Sequence, residues 1–403
     1  MSAAFLNSLI ALIVLAGLSW FLYRPKVQGS VTYKAMVIPL ANIMDVGFIV
    51  LSPIIVVLVG YDAPLVMLAI CLLAILTGFA VAYNIRNYEP LVGTPDRLHA
   101  WNTIAVWALI IASIVNIAYY AQLLMTLVLL PIGDLYSPGL ATATSAIILA
   151  ILTLVGFTWG ISKLNDLGNK TTAFNLSAVV AIVVAFAVFN VQELVGGGID
   201  WPEFDPPEDS DTTFRKMLGL FALVQGFESS RYLGAYFAAE TRVKTMRMAQ
   251  GIASTVFILF VAFSLILFAT VDAPQDGTAI FVISSEVSVF LPWLILLAAL
   301  GSQLSAIVNA TESRTDMLVQ QVGDRMDKKW TFPLLLVPAI LIVLLTDVTS
   351  AVALASRVFA AYFMLQAFIA GRLAWRAGSW RWVAFFAFVG LAMATIAIFG
   401  LPT

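Results

Sequence analysis

Two apolar, membrane-length stretches of this chain contain ionisable residues. In the stretch 221–250, Gly226, Glu228 and Arg231 interrupt a segment that otherwise has the composition of a membrane span. A charged residue at bilayer depth costs several kcal/mol unless it is paired or faces water. An acid beside a base at that depth therefore predicts a site for ions or polar solutes, although one pair alone also fits a structural ion pair between helices.

A second interruption lies near the start of the chain. The stretch 36–60 contains Asp45 among residues that disturb helices, which are Pro39, Asn42, Gly47 and Pro53. Proline and glycine free backbone amides and carbonyls inside a membrane helix. At helical rise, Asp45 is roughly 15 Å from one membrane edge and Glu228 roughly 20 Å from the other. We therefore predict that the two interrupted helices meet near the bilayer centre.

The composition indicates a polytopic, all-α membrane protein with a single membrane domain. Of the 403 residues, 61% are hydrophobic and 11% are charged, and the net charge of -2 gives no reason to expect a nucleic-acid partner. One cysteine, Cys71, excludes an internal disulfide, and one histidine, His99, excludes a multi-histidine metal or haem site within the chain. Because no hydrolase, metalloprotease or phosphate-loop motif is present, we expect neither an enzyme nor a cofactor.

Apolar runs predict about twelve transmembrane helices. The first, residues 3–23, has no basic residues before it and is followed by Arg24 and Lys26, so we expect a retained helix rather than a cleaved signal peptide. The further spans are predicted at 36–60, 63–84, 101–131, 139–162, 172–194, 215–240, 245–271, 287–311, 331–347, 350–371 and 380–400.

The distribution of basic residues predicts the orientation. Most of the 21 Lys and Arg residues fall in alternate loops between these spans, and such loops are typically cytoplasmic. This pattern predicts an integral protein of a bacterial or archaeal inner membrane, with both termini outside.

The spacing of the spans predicts an internal repeat. After the first helix, five spans are followed by five more at an offset of roughly 180 residues, and an odd number of spans inverts the second copy. We call these spans core helices one to ten, so that 36–60 is the first and 215–240 the sixth. The predicted division is 1–35 (extra helix and linker), 36–194 (first repeat), 195–214 (outer loop), 215–371 (second repeat) and 372–403 (C-terminal helix).

The sixth core helix resembles a known family pattern. Gly226-Phe227-Glu228, followed by Glu240 and Arg242, is similar to the corresponding helix of the amino acid/polyamine/organocation (APC) superfamily, which has the leucine-transporter-like 5+5 inverted-repeat fold. The resemblance implies a secondary active transporter, for example a symporter for amino acids, that works by alternating access. It also implies a central pocket at the breaks of core helices one and six, with core helices three, eight and ten around it.

The residues of this pocket follow from the resemblance and from the polar positions in the spans. Asp45 and Glu228 are candidates for binding a cation or a proton, while Ser302 and Ser305 share a helix face that could hold Na⁺. Arg231 and Arg357 either bind a substrate carboxylate or neutralise the two acids. The complete predicted set is Asn42, Asp45, Gly47, Tyr120, Gly226, Phe227, Glu228, Arg231, Ser302, Ser305 and Arg357.

The predicted partners are a small polar solute and the lipid bilayer. The solute is an amino acid, an amine or a related organic ion, and H⁺ or Na⁺ drives its transport. The fifth core helix, 172–194, contains no lysine, which argues against the proton-coupled relatives that place a lysine there. The alternative interpretation is a non-transporting sensor or accessory subunit that retains the fold.

Overall fold

The computed structural model describes residues 3–45, 47–197, 204, 209–268, 279–323 and 326–403, and those residues form helices and connecting turns without a strand. The α-helices are α1 (Ala3–Leu22), α2 (Pro25–Gly29), α3 (Val31–Ile43), α4 (Gly47–Val59), α5 (Ala63–Asn87), α6 (Leu98–Leu129), α7 (Pro138–Trp159), α8 (Ser162–Gly196), α9 (Ser210–Gly219), α10 (Ala239–Leu267), α11 (Ala279–Val287), α12 (Leu291–Val322), α13 (Thr331–Leu345), α14 (Val348–Arg376) and α15 (Trp380–Phe399).

The prediction of a polytopic helical membrane protein is confirmed. Among the described residues, ten helices are long and apolar enough to cross a membrane. The predicted first and sixth core helices are not unbroken spans of this kind, because each is divided into shorter pieces. The division into two inverted repeats stays a prediction, and most of the predicted outer loop, 198–203 and 205–208, lies outside the described residues.

The first core helix breaks between α3 and α4. Helix α3 ends at Ile43 and α4 begins at Gly47. The Asp45 carboxylate accepts a hydrogen bond of 2.7 Å from the Gly47 amide. Because the first amides of a helix have no partner within the helix, an aspartate in this position stabilises the new helix start. The intramembrane acid is thus part of the break itself.

The sixth core helix is irregular over a longer stretch than the sequence predicts. It consists of α9, a short 3-10 turn at Phe221–Val224, and a 3-10 helix at Phe227–Leu233. Gly226 separates the last two with a φ of +117°, a conformation that favours glycine. The Glu228 carboxylate accepts a hydrogen bond of 2.8 Å from the Gly226 amide. This acid therefore caps the second break as Asp45 caps the first.

Helix α14 supplies partners for the broken sixth core helix along its length. The Ser356 hydroxyl donates to the Gly219 carbonyl at 2.6 Å and accepts from the Ala222 amide at 2.7 Å. Two turns further along α14, the Phe363 ring stacks on Phe227 with 5.0 Å between the ring centroids. The Ser356 hydroxyl thus replaces backbone hydrogen bonds that the break removes, and the Phe363 ring adds packing.

One end of the helical bundle is held by ion pairs. They join Arg86 to Glu240 at 2.7 Å, Arg242 to Glu89 at 2.5 Å and Arg376 to Asp96 at 2.6 Å. The Arg376 guanidinium and the Leu98 amide lower the pKa of Asp96 to about 2, so this pair stays charged at physiological pH. We call this end the basic face. Its predicted cytoplasmic location stays a prediction.

The extra helix α1 packs against α8 and reaches the junction of α11 and α12. Buried Asn7 donates from Nδ2 to the Val287 carbonyl at 3.1 Å, and the hydroxyls of Ser8 and Ser288 lie 2.5 Å apart. Polar contacts of this kind fix the register of one membrane helix against another.

Replacing Ser356 with alanine tests the role of α14. Ser356→Ala leaves the Gly219 carbonyl and the Ala222 amide without their side-chain partner, so we expect a loss of about 1–3 kcal/mol in stability. A thermal unfolding measurement in detergent checks this. The control is Ser285→Ala, whose side chain is exposed and donates to the local Val282 carbonyl. Equal melting temperatures for the two variants would contradict the assignment.

Candidate functional site

The two helix breaks touch each other. A Cβ atom added to Gly226 would lie 2.7 Å from both the carbonyl carbon and the carbonyl oxygen of Asn42. Real side chains do not approach backbone so closely, so glycine is needed here for space as well as for its positive φ. The prediction that the interrupted segments meet is therefore seen in the structure.

A small polar cavity lies beside this contact, at the end of α3. Its volume is about 30 Å³, which is enough for a water molecule or a single ion. Five of the predicted site residues line it, and they come from the first, third and eighth core helices. The lining consists of Ala41, Asn42, Met44, Asp45, Tyr120, Thr172, Asn175, Leu176, Ser302, Ser305, Ala306 and Asn309.

Asp45 is the acidic group of the cavity. Besides the Gly47 amide, its carboxylate accepts a hydrogen bond from the Tyr120 hydroxyl. A Cβ atom at Gly47 would collide with the Tyr119 hydroxyl, so glycine leaves room for this ring. The Tyr119 hydroxyl has no hydrogen-bond partner among the described residues. The Asp45 carboxylate thus accepts hydrogen bonds from an amide and a phenol at the edge of the cavity.

Oxygen atoms from two other helices face the cavity. Ser302 and Ser305 lie on α12, with Asn309 one turn further on, and the Asn309 amide donates to the Ser305 hydroxyl at 3.2 Å. On α8, the Asn175 Oδ1 atom is buried and has no hydrogen-bond partner among the described residues. Carboxylate, hydroxyl and amide oxygens together suit a hard cation.

The contribution of α8 was not predicted. Thr172 and Asn175 stand three residues apart and therefore on one side of the helix. A polar pair at this spacing in an apolar span was the available signal. The absence of a lysine in the fifth core helix argued against one kind of proton-coupled site, but it did not indicate which residues of this helix face the cavity.

Glu228 is buried and turned toward its own helix break. It is 2% exposed, and the positive charge that acts on it comes from Arg314. The sequence predicts a loop after residue 311, but α12 continues to Val322 and buries Arg314, whose Nε donates to the Ser113 hydroxyl at 2.6 Å.

Arg231 is buried but does not pair with either acid. Its guanidinium donates to the side-chain oxygens of Gln366 and Asn102 and lies over the Tyr88 ring, 5.2 Å from the centroid. No ion pair between Arg231 and a carboxylate is present in the part of the chain that the structure describes. Of the two predicted roles of Arg231, neutralisation of Asp45 and Glu228 is not seen in this structure, and binding of a substrate carboxylate stays a prediction.

Two further predicted site residues lie away from the cavity. Arg357 is exposed and donates to the carbonyls of Ala397 and Ile398, at 3.0 and 3.4 Å, where α15 ends. A guanidinium is a favourable partner for the free carbonyls at a helix C-terminus, and this local bonding explains its position. Phe227 is fully buried and packs against Phe363, so it supports the break without lining the cavity.

The fold and the site define a polytopic helical membrane protein with two broken helices around a polar centre. The chain belongs to the APC superfamily of transporters, since the family model described as an APC superfamily transporter matches residues 25–400. Helix α1 lies outside the matched range. The chain is also similar to an uncharacterized protein of Aquifex aeolicus (strain VF5), with 27% identity over 361 residues that cover 87% of this chain and 86% of the relative.

Substitution of Gly226 tests the contact between the breaks. Gly226→Ala adds a methyl group against the Asn42 backbone and places a side chain at positive φ, so we expect a large loss of correctly folded protein. The yield of monodisperse protein and its melting temperature measure this. The matched control is Gly251→Ala in α10, where nothing lies within 4 Å and a gain of about 1 kcal/mol is expected. Similar behaviour of the two variants would contradict a tight contact.

Proposed function

We propose that this protein is a secondary active transporter that moves a small polar solute, such as an amino acid, an amine or a related organic ion, by alternating access. The observation that supports this most directly is the meeting of two broken helices beside a cavity that contains Asp45. Secondary transporters commonly bind substrate and ion where such discontinuous helices meet. In this proposal the basic face lies toward the cytoplasm.

The two acids couple ion binding to the shape of the site. Asp45 and Glu228 each hold the amide of a break glycine, Gly47 or Gly226. A proton or a cation on either carboxylate changes its strength as an acceptor for that amide. Loading of the site therefore alters the geometry of the break, which gives the two conformations different affinities for the ion.

The cavity binds the driving ion in this mechanism. Its volume of about 30 Å³ is small compared with the roughly 300 Å³ or more of sites for organic ligands. The solute therefore needs a separation of α3 and the 3-10 helix from α6 and α12 before it can enter. A site that must open to admit its solute is what alternating access requires.

Neutral replacements of the acids test the proposal. Asp45→Asn and Glu228→Gln retain an oxygen that accepts from the glycine amides but cannot carry a negative charge or release a proton. We expect both variants to fold, to melt within a few degrees of the unaltered protein, and to lose uptake driven by an ion gradient. The measurement is uptake of labelled amino acids and amines by proteoliposomes, on candidates first selected by ligand-induced thermal stabilisation.

The control for this experiment is Asp316→Asn, which removes an exposed acid from an ion pair with Lys328. It should transport normally, because exposed ion pairs contribute little. Normal uptake by both acid variants would remove Asp45 and Glu228 from the mechanism. Ligand binding without flux in the unaltered protein would instead favour a sensor.

The identity of the driving ion is tested at the α12 hydroxyls. If Na⁺ occupies the cavity, NaCl should raise the melting temperature relative to choline chloride, and Ser305→Ala should weaken this response by about tenfold in the Na⁺ concentration required. The control is Thr255→Ala. Thr255 is exposed on α10, does not line the cavity, and donates to the Gly251 carbonyl. No response to Na⁺ in the unaltered protein, combined with uptake driven by a pH gradient, would assign the coupling to protons.

A further inference from the structure

Arg231 is the centre of a buried polar cluster between the cavity and the basic face. Its guanidinium bonds Gln366 of α14 and Asn102 of α6, and it lies over Tyr88 at the end of α5. The Asn84 amide of α5 donates to the side-chain oxygen of Gln366 at 2.9 Å. We call Arg231, Gln366, Asn102, Tyr88 and Asn84 the clasp.

The composition of the clasp is unusual for a buried charge. Arg231 is only 7% exposed and Gln366 is fully buried, yet the partners of the guanidinium are neutral amide oxygens and an aromatic ring. The nearby carboxylate of Glu89 is occupied by Arg242, whose Nη1 also donates to the Arg231 carbonyl at 2.9 Å. A guanidinium bonded to neutral groups loses less interaction free energy when it becomes exposed to water than a guanidinium paired with a buried carboxylate. The clasp is therefore suited to opening.

The clasp also connects elements that belong to different sides of the site. The 3-10 helix that carries Arg231 packs against α3, which ends at the cavity. Asn102 belongs to α6, which carries Tyr120 and packs against α12, the helix that carries Ser302 and Ser305. A bond from Arg231 to Asn102 thus joins the broken sixth core helix to α6 near the start of α6, which lies at the basic face.

We propose that Arg231 is a positioning residue for transport, and that its clasp with Gln366, Asn102 and Tyr88 keeps the cavity closed toward the basic face. This proposal rests on the transport function proposed above. When the clasp is closed, the 3-10 helix is held against α6 and α14. When it opens, the 3-10 helix and the end of α3 can move away from α6, and the cavity gains access to the basic face.

Site-directed labelling tests the clasp without a known solute. The chain has one cysteine, Cys71, which is buried, so Cys71→Ala provides a background in which Ala41→Cys places a thiol in the cavity lining. A membrane-impermeant maleimide is applied to sealed vesicles from each face in turn. Arg231→Gln in this background should increase the labelling rate from the basic face by about tenfold, with no increase from the other face.

Two further variants make the result specific. Arg231→Lys retains the charge but cannot bridge two acceptors, so its labelling rate should lie between those of the parent and Arg231→Gln. Asn102→Ala removes one acceptor at a partly exposed position and should increase labelling from the same face, and it decides the question if Arg231→Gln does not fold. The matched control is Arg86→Gln, which breaks an exposed ion pair on that face and should leave labelling unchanged.

An unchanged labelling rate from the basic face in Asn102→Ala and in folded Arg231→Gln overturns the proposal. An equal increase from both faces also overturns it, since that result indicates general loosening of the bundle. Because no solute is needed, a protein without uptake can still pass this test, and a transporting protein can fail it. Failure of the clasp is therefore distinguishable from failure of the proposed function.

Discussion

The structure depends on the close approach of Gly226 to the Asn42 backbone. This contact brings together two helix breaks that are far apart in sequence, and it leaves no room for a side chain. The breaks in turn need acceptors for their free amides, which Asp45 and Glu228 provide. The same two carboxylates are thus structural caps and the acidic groups of the site. A membrane protein must satisfy its backbone groups internally, and at the two breaks of this protein carboxylates meet part of that requirement.

Helix α14 complements this arrangement from outside the breaks. Ser356 bonds the backbone at Gly219 and Ala222, Phe363 stacks on Phe227, and Gln366 holds Arg231. These three α14 side chains recur at intervals of seven and three residues, so they form one stripe along the helix. The continuous helix α14 therefore supports the broken sixth core helix through side-chain contacts. The α14 stripe thus supplies polar and packing partners to a segment that lacks regular helical hydrogen bonds.

The sequence predicted the parts of the site that depend on local composition. Proline, glycine and acidic residues in apolar spans located both breaks, and the helical spacing of Ser302 and Ser305 placed them on one face. Arg357 was misplaced because its partners are the carbonyls at the end of α15, and such tertiary contacts leave no mark in sequence spacing. Arg314 was assigned to a loop because hydropathy falls near residue 311, whereas the helix continues and buries the charge against Ser113. Asn175 was overlooked because it is one of several amide side chains in this span, and spacing alone does not show which of them faces the cavity.

The winding of the sixth core helix has a mechanical consequence. Its segment Phe227–Leu233 is a 3-10 helix of seven residues. A 3-10 helix rises by 2.0 Å per residue and an α-helix by 1.5 Å, so rewinding this segment as an α-helix would shorten it by about 3.5 Å. The change would also turn its side chains about the helix axis relative to Gly226. A change in the backbone torsion angles of this segment alone would therefore change its length by about 3.5 Å. This length is comparable to the diameter of a water molecule.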